Sequence, residues 1–346
     1  MSQTKVEAPF VENNRPFRNL IINGDMSISQ RGTSFAAVND DDYTLDRYKY
    51  DISGTDAYQF TISQSTDVPT GQGFAKSMKF DCTTADASLD ADNFAIIATR
   101  LEGQNLQSLK KGTSSAESTT LSFWVKSNKT GTYIAELFDT ENNRVICKSY
   151  TISSSDTWEK KIVTFPGDTT GALTNDNTGR LRVHFWLLTG TNFSSGSLAT
   201  AWESRNNVDR AVGQVNLGDN TSNEWYITGI QFEVGDTATD FEYLPFDVQL
   251  QRCQRYFQKI THRYKVVTRW NNNSGVPINY MDFMQTMNHE PTITNSGTFE
   301  SASGYGQNPS YGGTTENGTY LAGAVSVGTN ETNFIHNGVS EMDAEL

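Results

Sequence analysis

The chain has 346 residues, enough for two or three domains, with 19% charged residues and a net charge of −13. That acidity excludes a nucleic-acid partner, which needs a basic face, and no run of about 18 apolar residues offers a membrane-inserting span. The three cysteines, Cys82, Cys147 and Cys253, are too widely spaced for a disulfide framework or a metal-ligand pattern. They read as buried thiols of a chain that folds in a reducing cytoplasm, and the polar N-terminus carries no apolar segment of the signal-peptide kind.

Residues 1–16 are polar and form an N-terminal arm, either a free terminus or a segment that orders on a neighbour. Leu20–Ile22 is expected as the first strand, closed by the turn Asn23-Gly24-Asp25. Asn39–Asp42 is an acidic loop without the spaced carboxylates of a calcium loop. Further strands are expected at Tyr43–Tyr50, Ala57–Ser63, Ala75–Phe80 and Phe94–Arg100, with a helical turn within Leu101–Leu109. From Thr120 the alternation is regular: Leu121, Phe123 and Val125 interleave with Ser122, Trp124 and Lys126. Tyr133–Asp139, Val145–Ile152, Trp158–Phe165 and Arg180–Leu188 follow, separated by turn residues. Strands at this spacing predict an all-β, two-sheet sandwich and exclude a βαβ fold.

The pattern lapses over Thr189–Asn223, an excursion long enough to be functional or mobile. It holds Phe193, Trp202, Glu203 and Arg205. An aromatic face among polar donors suits a pyranose ring, so these four are the candidate carbohydrate site, centred on Trp202. The other reading is that Trp202 plugs the end of the sandwich or packs on another subunit. The segment WYITGIQFEVGDTATDFEYLPFDVQLQRCQRYFQ, starting at Trp225, then returns to a period of two with Ile230, Phe232 and Val234 on one face. After Pro245 the spacing of Leu250, Cys253, Phe257 and Ile260 predicts a linking helix, with Asp247 as its N-cap. Beyond it, His262–Trp270, the turn Asn271–Gly275, Val276–Met287, Pro291–Thr294, Tyr320–Val327 and Thr332–His336 indicate a small β domain. Tyr305 and Tyr311 sit in its Gly-rich loop.

The Trp225 segment, with Asn19–Asp25 (NLIINGD), Gln30–Gly32, Leu121–Tyr133, Trp158–Pro166 and Asp343–Leu346 (DAEL), resembles a module of bacteriophage tail-fibre and related virion proteins. That resemblance implies a jelly-roll sandwich like a carbohydrate-binding module at 17–246. The linking helix follows at 247–260 and a C-terminal β domain at 261–346. It implies a homotrimer in the virion, assembled in the host cytoplasm, joined to other virion proteins through the arm and binding a host surface polysaccharide. A head or capsid decoration protein using the same module is the alternative. In sandwiches of this kind a first-strand acid and a last-strand acid often hold a structural calcium. Asp25 and Glu233 are the comparable residues here, while Asp25 also suits a plain turn. The chain has no nucleophile, HExxH or phosphate-loop motif, and its four histidines are scattered. The expectation is therefore a binding protein, not an enzyme, with a polysaccharide depolymerase a distant third reading.

Overall fold

The computed structural model describes residues 17–36, 38–54, 57–269, 278–301, 310–312, 314–322 and 331–345. The N-terminal arm, the Asn271–Gly275 turn and Tyr305 lie outside the described residues. The chain divides into two compact units after Leu244.

The strands of the first unit are, in chain order, β1 (Ser34–Phe35), β2 (Asp42–Tyr43), β3 (Lys49–Ser53), β4 (Gln59–Ser65), β5 (Ser77–Thr84), β6 (Phe94–Glu102) and β7 (Thr119–Ser127). They continue with β8 (Gly131–Asp139), β9 (Arg144–Ile152), β10 (Glu159–Phe165), β11 (Gly179–Thr189), β12 (Glu203–Ser204) and β13 (Glu224–Val234). One sheet has the order β1-β4-β5-β13-β7-β10 and the other β12-β9-β8-β11-β6-β3-β2, giving a jelly-roll β-sandwich whose pairs are antiparallel. The core lies between the sheets, where Phe60, Phe80, Phe123, Phe185 and Trp225 interlock. Period-two alternation assigns the faces. On β7, Leu121, Phe123 and Val125 point inward; on β11, Leu181, Val183 and Phe185 do, leaving Arg182, His184 and Trp186 on the outer face. All three cysteines are buried and free.

The sequence expectations fail where side chains or tight turns replace the ladder. Leu20–Ile22 is not a regular strand. It runs beside β13, with Leu20 N donating to Phe232 O and the Asn19 side chain bonding both Ile230 O and Phe232 N. Tyr43–Tyr50 breaks into β2 and β3 around a turn in which Arg47 has φ 73°. The helical turn expected within Leu101–Leu109 is present, as two short 3-10 turns, Gly103–Asn105 and Gln107–Leu109.

The largest departure is in β13. Trp225 and Ile227 face the core, and so do Ile230 and Phe232, which strict alternation would put on opposite faces. A register shift between Thr228 and Gln231 resets the faces at Gly229, which adopts φ 62°. Val234, expected to be buried with Ile230 and Phe232, is 39% exposed.

In the second unit, helix α1 spans Phe246–Gln254, followed by β14 (Phe257–Arg269), β15 (Ile278–Asp282), β16 (Thr292–Ser301), β17 (Ser310–Gly312), β18 (Gly318–Ala322) and β19 (Glu331–Asp343). These form two three-stranded sheets, β14-β19-β16 and β15-β18-β17. The helix is shorter than its apolar spacing predicts, because Phe257 and Ile260 are taken into the ladder opposite Asp343 and Ser340. Pro245, not Asp247, occupies the N-cap, and Asp247 lies in the first turn, where its charge suits the helix dipole. The buried Gln258 ties this unit together. Its amide donates to Gln254 O and Gln285 O and accepts from Met284 N, above a small core of Phe283, Met287, Met342 and Ala344.

A Cβ at Gly229 would stand 2.5 Å from Phe74 Cζ in a backbone region unfavourable to L side chains. Gly229→Ala is therefore expected to destabilise the sandwich by about 3 kcal/mol, the sum of left-handed strain and overpacking. Thermal unfolding checks this, with a drop on the order of 10 °C expected for a unit of this size.

Candidate functional site

The Thr189–Asn223 excursion does not stand away from the scaffold. It folds back over the outer face of the seven-stranded sheet. There Ala199 and Ala211, with Phe193 and Leu198 at their margin, bury a second apolar cluster against Ile96, Ala98, Ile134, Val145 and Trp186. Its anchor is one carboxylate. Glu136 on β8 is fully buried and accepts from Arg210 Nε at 2.8 Å, Arg210 Nη2 at 3.0 Å and Trp186 Nε1 at 2.8 Å. His184 Nδ1 lies 3.1 Å from the same carboxylate. Burial would raise this carboxyl, but Arg210 and His184 outweigh it and hold the pKa down at about 2.

The part of the sheet that the excursion leaves uncovered is a cleft of about 390 Å³, within the range of small-ligand sites. Its cations are Lys49, Arg100, Arg182, Arg205 and Arg210, against the carboxylates of Asp40, Asp41 and Asp51. Phe94, Ile96 and Phe138 supply its apolar surface. The guanidinium carbons of Arg182, Arg205 and Arg210 lie 5.9, 5.2 and 5.6 Å from the Phe138 ring centroid, a cation–π grouping around one aromatic.

Among the buried polar atoms of the cleft lining without a hydrogen-bond partner are Asp51 Oδ1, which has the Lys49 ammonium beside it, Arg182 Nε and His184 Nε2. The state of His184 follows from its neighbour. Glu136 is ionised and can only accept, so His184 Nδ1 carries the proton and donates. Burial pushes the imidazole below its ordinary 6.5, against the pull of Glu136. The ring is thus neutral near pH 7, and Nε2 is a bare acceptor in the cleft wall beside the Arg182 donor.

Asp40, Asp41 and Asp51 form the one group of three potential metal ligands among the described residues. Lys49 already meets their charge: its ammonium pairs with Asp41 and stands 3.1 Å from Asp51 Oδ1. Asp40 Oδ1 is held by Ile52 N at 2.9 Å.

The four residues expected to form a carbohydrate site are dispersed. Trp202 packs against the main core, donates from Nε1 to Pro166 O at 2.8 Å and lies under Lys111 Nζ, 5.3 Å from its centroid. The space beside it is about 20 Å³, room for one water and not for a sugar. Phe193 is wedged between Phe94 and Trp186, and Glu203 pairs with Val145 as an edge strand. Only Arg205 lines the cleft. Neither do Asp25 and Glu233 fit a calcium ion. Donors occupy Glu233, whose Oε1 accepts from Gln231 Nε2 and Thr239 N and whose Oε2 accepts from Thr239 Oγ1, with Arg18 Nε at 3.7 Å. Asp25 caps its own turn through Ser27. Arg182 and His184 were legible as outward residues of a strand, but nothing in the sequence shows that Glu136, 48 residues earlier, orients His184.

Replacing Glu136 removes the partner of buried Arg210. Glu136→Gln is expected to cost about 3 kcal/mol in denaturant unfolding. In the wild type, stability supplied by Glu136 is complete above pH 4.5 and is lost as pH falls toward 2, because the folded-state pKa is depressed. His184 adds to the same trend below pH 6.5, where the unfolded chain takes the proton first. Unfolding midpoints measured from pH 7 to pH 2.5 should fall with acid in the wild type, with a shallower limb below pH 4.5 in Glu136→Gln.

No family model matches this sequence, and no curated protein does. Among solved structures, the enzymatically active domain of tailspike protein 4 of bacteriophage CBA120 is similar at 16% identity and TM-score 0.34, over 64% of this chain and 22% of that one. This chain thus spans less than a quarter of the tailspike chain's length. TmCBM61 in complex with β-1,4-galactotriose is similar at 12% identity and TM-score 0.30, over 64% of this chain and 99% of that one. The family 11 carbohydrate-binding module from Clostridium thermocellum, in complex with a β-1,3-1,4-mixed-linked tetrasaccharide, is similar at 12% identity and TM-score 0.30, over 60% and 98%. At TM-scores of this size the likeness identifies no family.

Proposed function

We propose that this chain binds a glycan through the cleft on the outer face of its seven-stranded sheet, as a component of a bacteriophage virion. The observation that carries the binding reading is the cleft itself. It combines an apolar floor at Phe94 and Phe138 with a buried donor, Arg182 Nε, and a buried acceptor, His184 Nε2, that the protein leaves unused. Such unused groups are costly in a folded protein unless a ligand or water meets them, and sugar hydroxyls both donate and accept. The virion role, the homotrimer and attachment through residues 1–16 are supported by the sequence resemblance alone. A subunit interface would also cover Ile162, 53% exposed on the outer face of the six-stranded sheet.

Binding without cleavage is the favoured reading. Hydrolysis of a glycosidic bond needs one carboxyl held protonated as an acid. At this site both Asp51 and Glu136 are shifted the other way. Burial raises each, but the cations beside Asp51 (His184 among them, when charged, and Lys49) and the Arg210–His184 pair at Glu136 reverse it.

The test compares two variants on a glycan array and in blocking of phage adsorption. Arg205→Glu, at an exposed position on the cleft rim, should weaken binding at least tenfold with an unchanged melting temperature. Trp202→Ala should lower the melting temperature by several degrees, since it removes core packing and the Pro166 bond, and leave binding intact below that temperature. Loss of binding in a stable Trp202→Ala protein would return the site to Trp202. Release of reducing sugar would make the chain an enzyme, and a monomer at micromolar concentration would remove the trimer.

A further inference from the structure

Resting on the glycan-binding reading, the distribution of charge in the cleft narrows the ligand. We infer that the cleft selects an acidic glycan, one whose sugars carry carboxylates, and that Arg182 and Arg205 hold the carboxylate while His184 Nε2 accepts from a neighbouring hydroxyl.

Two of the cations in the cleft are already neutralised. Lys49 is matched by Asp41 and Asp51, and Arg210 by the buried Glu136. Among the described residues, the carboxylate that Arg182 reaches is Asp51, at 3.9 Å from Oδ2, and it shares this group with Lys49. Arg205 is exposed and has no carboxylate within ion-pair distance among the described residues. Two guanidiniums therefore flank Phe138 with charge to spare, in a protein whose net charge is −13. A planar guanidinium matches a carboxylate with two parallel hydrogen bonds, and Arg182 Nε is a buried donor with no partner. On an acidic surface such a site also discriminates by field, because an anion gains only where local cations outweigh the surrounding repulsion.

The acceptor fixes the rest of the ligand. His184 is 2% exposed and presents Nε2 without its proton, so a second carboxylate oxygen at that point would be repelled and a hydroxyl O–H accommodated. Arg182 and His184 lie two residues apart on one face of β11, which separates their Cβ atoms by about 7 Å. A carboxylate and a ring hydroxyl on one hexuronate residue are separated by a comparable reach. A sulfate or phosphate ester would use the arginines but has no need of a bare acceptor.

The experiment uses the intact protein on immobilised hyaluronate, polygalacturonate and polysialic acid, each beside its carboxyl-reduced neutral form, with dextran and dextran sulfate as further arms. The expected result is retention on at least one carboxylate polymer and at least tenfold weaker binding to its reduced form. Arg182→Gln and Arg205→Ala should each lower that affinity about tenfold, and His184→Phe should lower it without altering the salt dependence. Melting curves of each variant establish that it is folded, and Arg205→Ala, at an exposed position, keeps the test decisive should Arg182→Gln unfold. Equal binding to the reduced forms or to dextran overturns the acidic preference and leaves glycan binding standing. Binding to dextran sulfate that is stronger than to any carboxylate polymer and insensitive to His184→Phe also overturns it, as plain polyanion attraction. Retention on none of the polymers, acidic or neutral, while all variants stay folded, overturns both readings.

Discussion

The buried Glu136 carboxylate is the constraint on which the cleft face depends. Taking one carboxylate out of water is costly unless its oxygens are fully engaged, and Glu136 draws three partners from two places in the chain. Trp186 and His184 come from the neighbouring strand, and Arg210 from within the excursion. The salt bridge to Arg210 and the apolar contacts of Phe193, Ala199 and Ala211 together hold the excursion on the sheet. A surface pair of the same kind would contribute little; this one contributes more by specifying where thirty-five residues of irregular chain must lie.

The same carboxylate decides the chemistry of the cleft without touching its solvent. Because Glu136 is ionised, it fixes the His184 tautomer, and the fixed tautomer turns Nε2 into an acceptor. Lys49, between Asp41 and Asp51, neutralises the acidic corner in a similar way and leaves the opposite side of the cleft to the arginines. Polarity at this site is thus set one layer below the surface that a ligand would meet.

Most of the sandwich was legible because it depends on alternation, which a single sequence displays. Strands such as β7, β8 and β9 appear at the expected residues, since Leu121, Phe123 and Val125 can be buried on one face only in extended chain. What alternation cannot show is a reset of phase. At Gly229 the correct reading needed the knowledge that Phe74 fills the space a side chain would take. Likewise the spacing of Phe257 and Ile260 fits a helix locally, and only their pairing with the distant β19 overrides it. The site was less legible still. Trp202 was singled out as an aromatic in a polar loop, yet the same property suits a residue that plugs the sandwich while its N–H finds a carbonyl.

The dispersal of those four residues has a general physical cause. A long polar excursion invites the picture of a tip free to bind, but this one contains Phe193, Leu198, Ala199 and Ala211, which have nowhere to go except onto the sheet beneath. Once they are buried there, the excursion becomes one wall of the cleft. The cleft is then whatever part of the outer sheet face remains open, and its residues come from strands whose outward positions are polar: Lys49 and Asp51 on β3, Arg100 on β6, Arg182 and His184 on β11. Charged side chains at consecutive outward positions of central strands are unusual on a face that a covering layer partly buries. In this fold they mark the boundary at which the covering layer ends, and there Arg182 Nε and His184 Nε2 are left without hydrogen-bond partners.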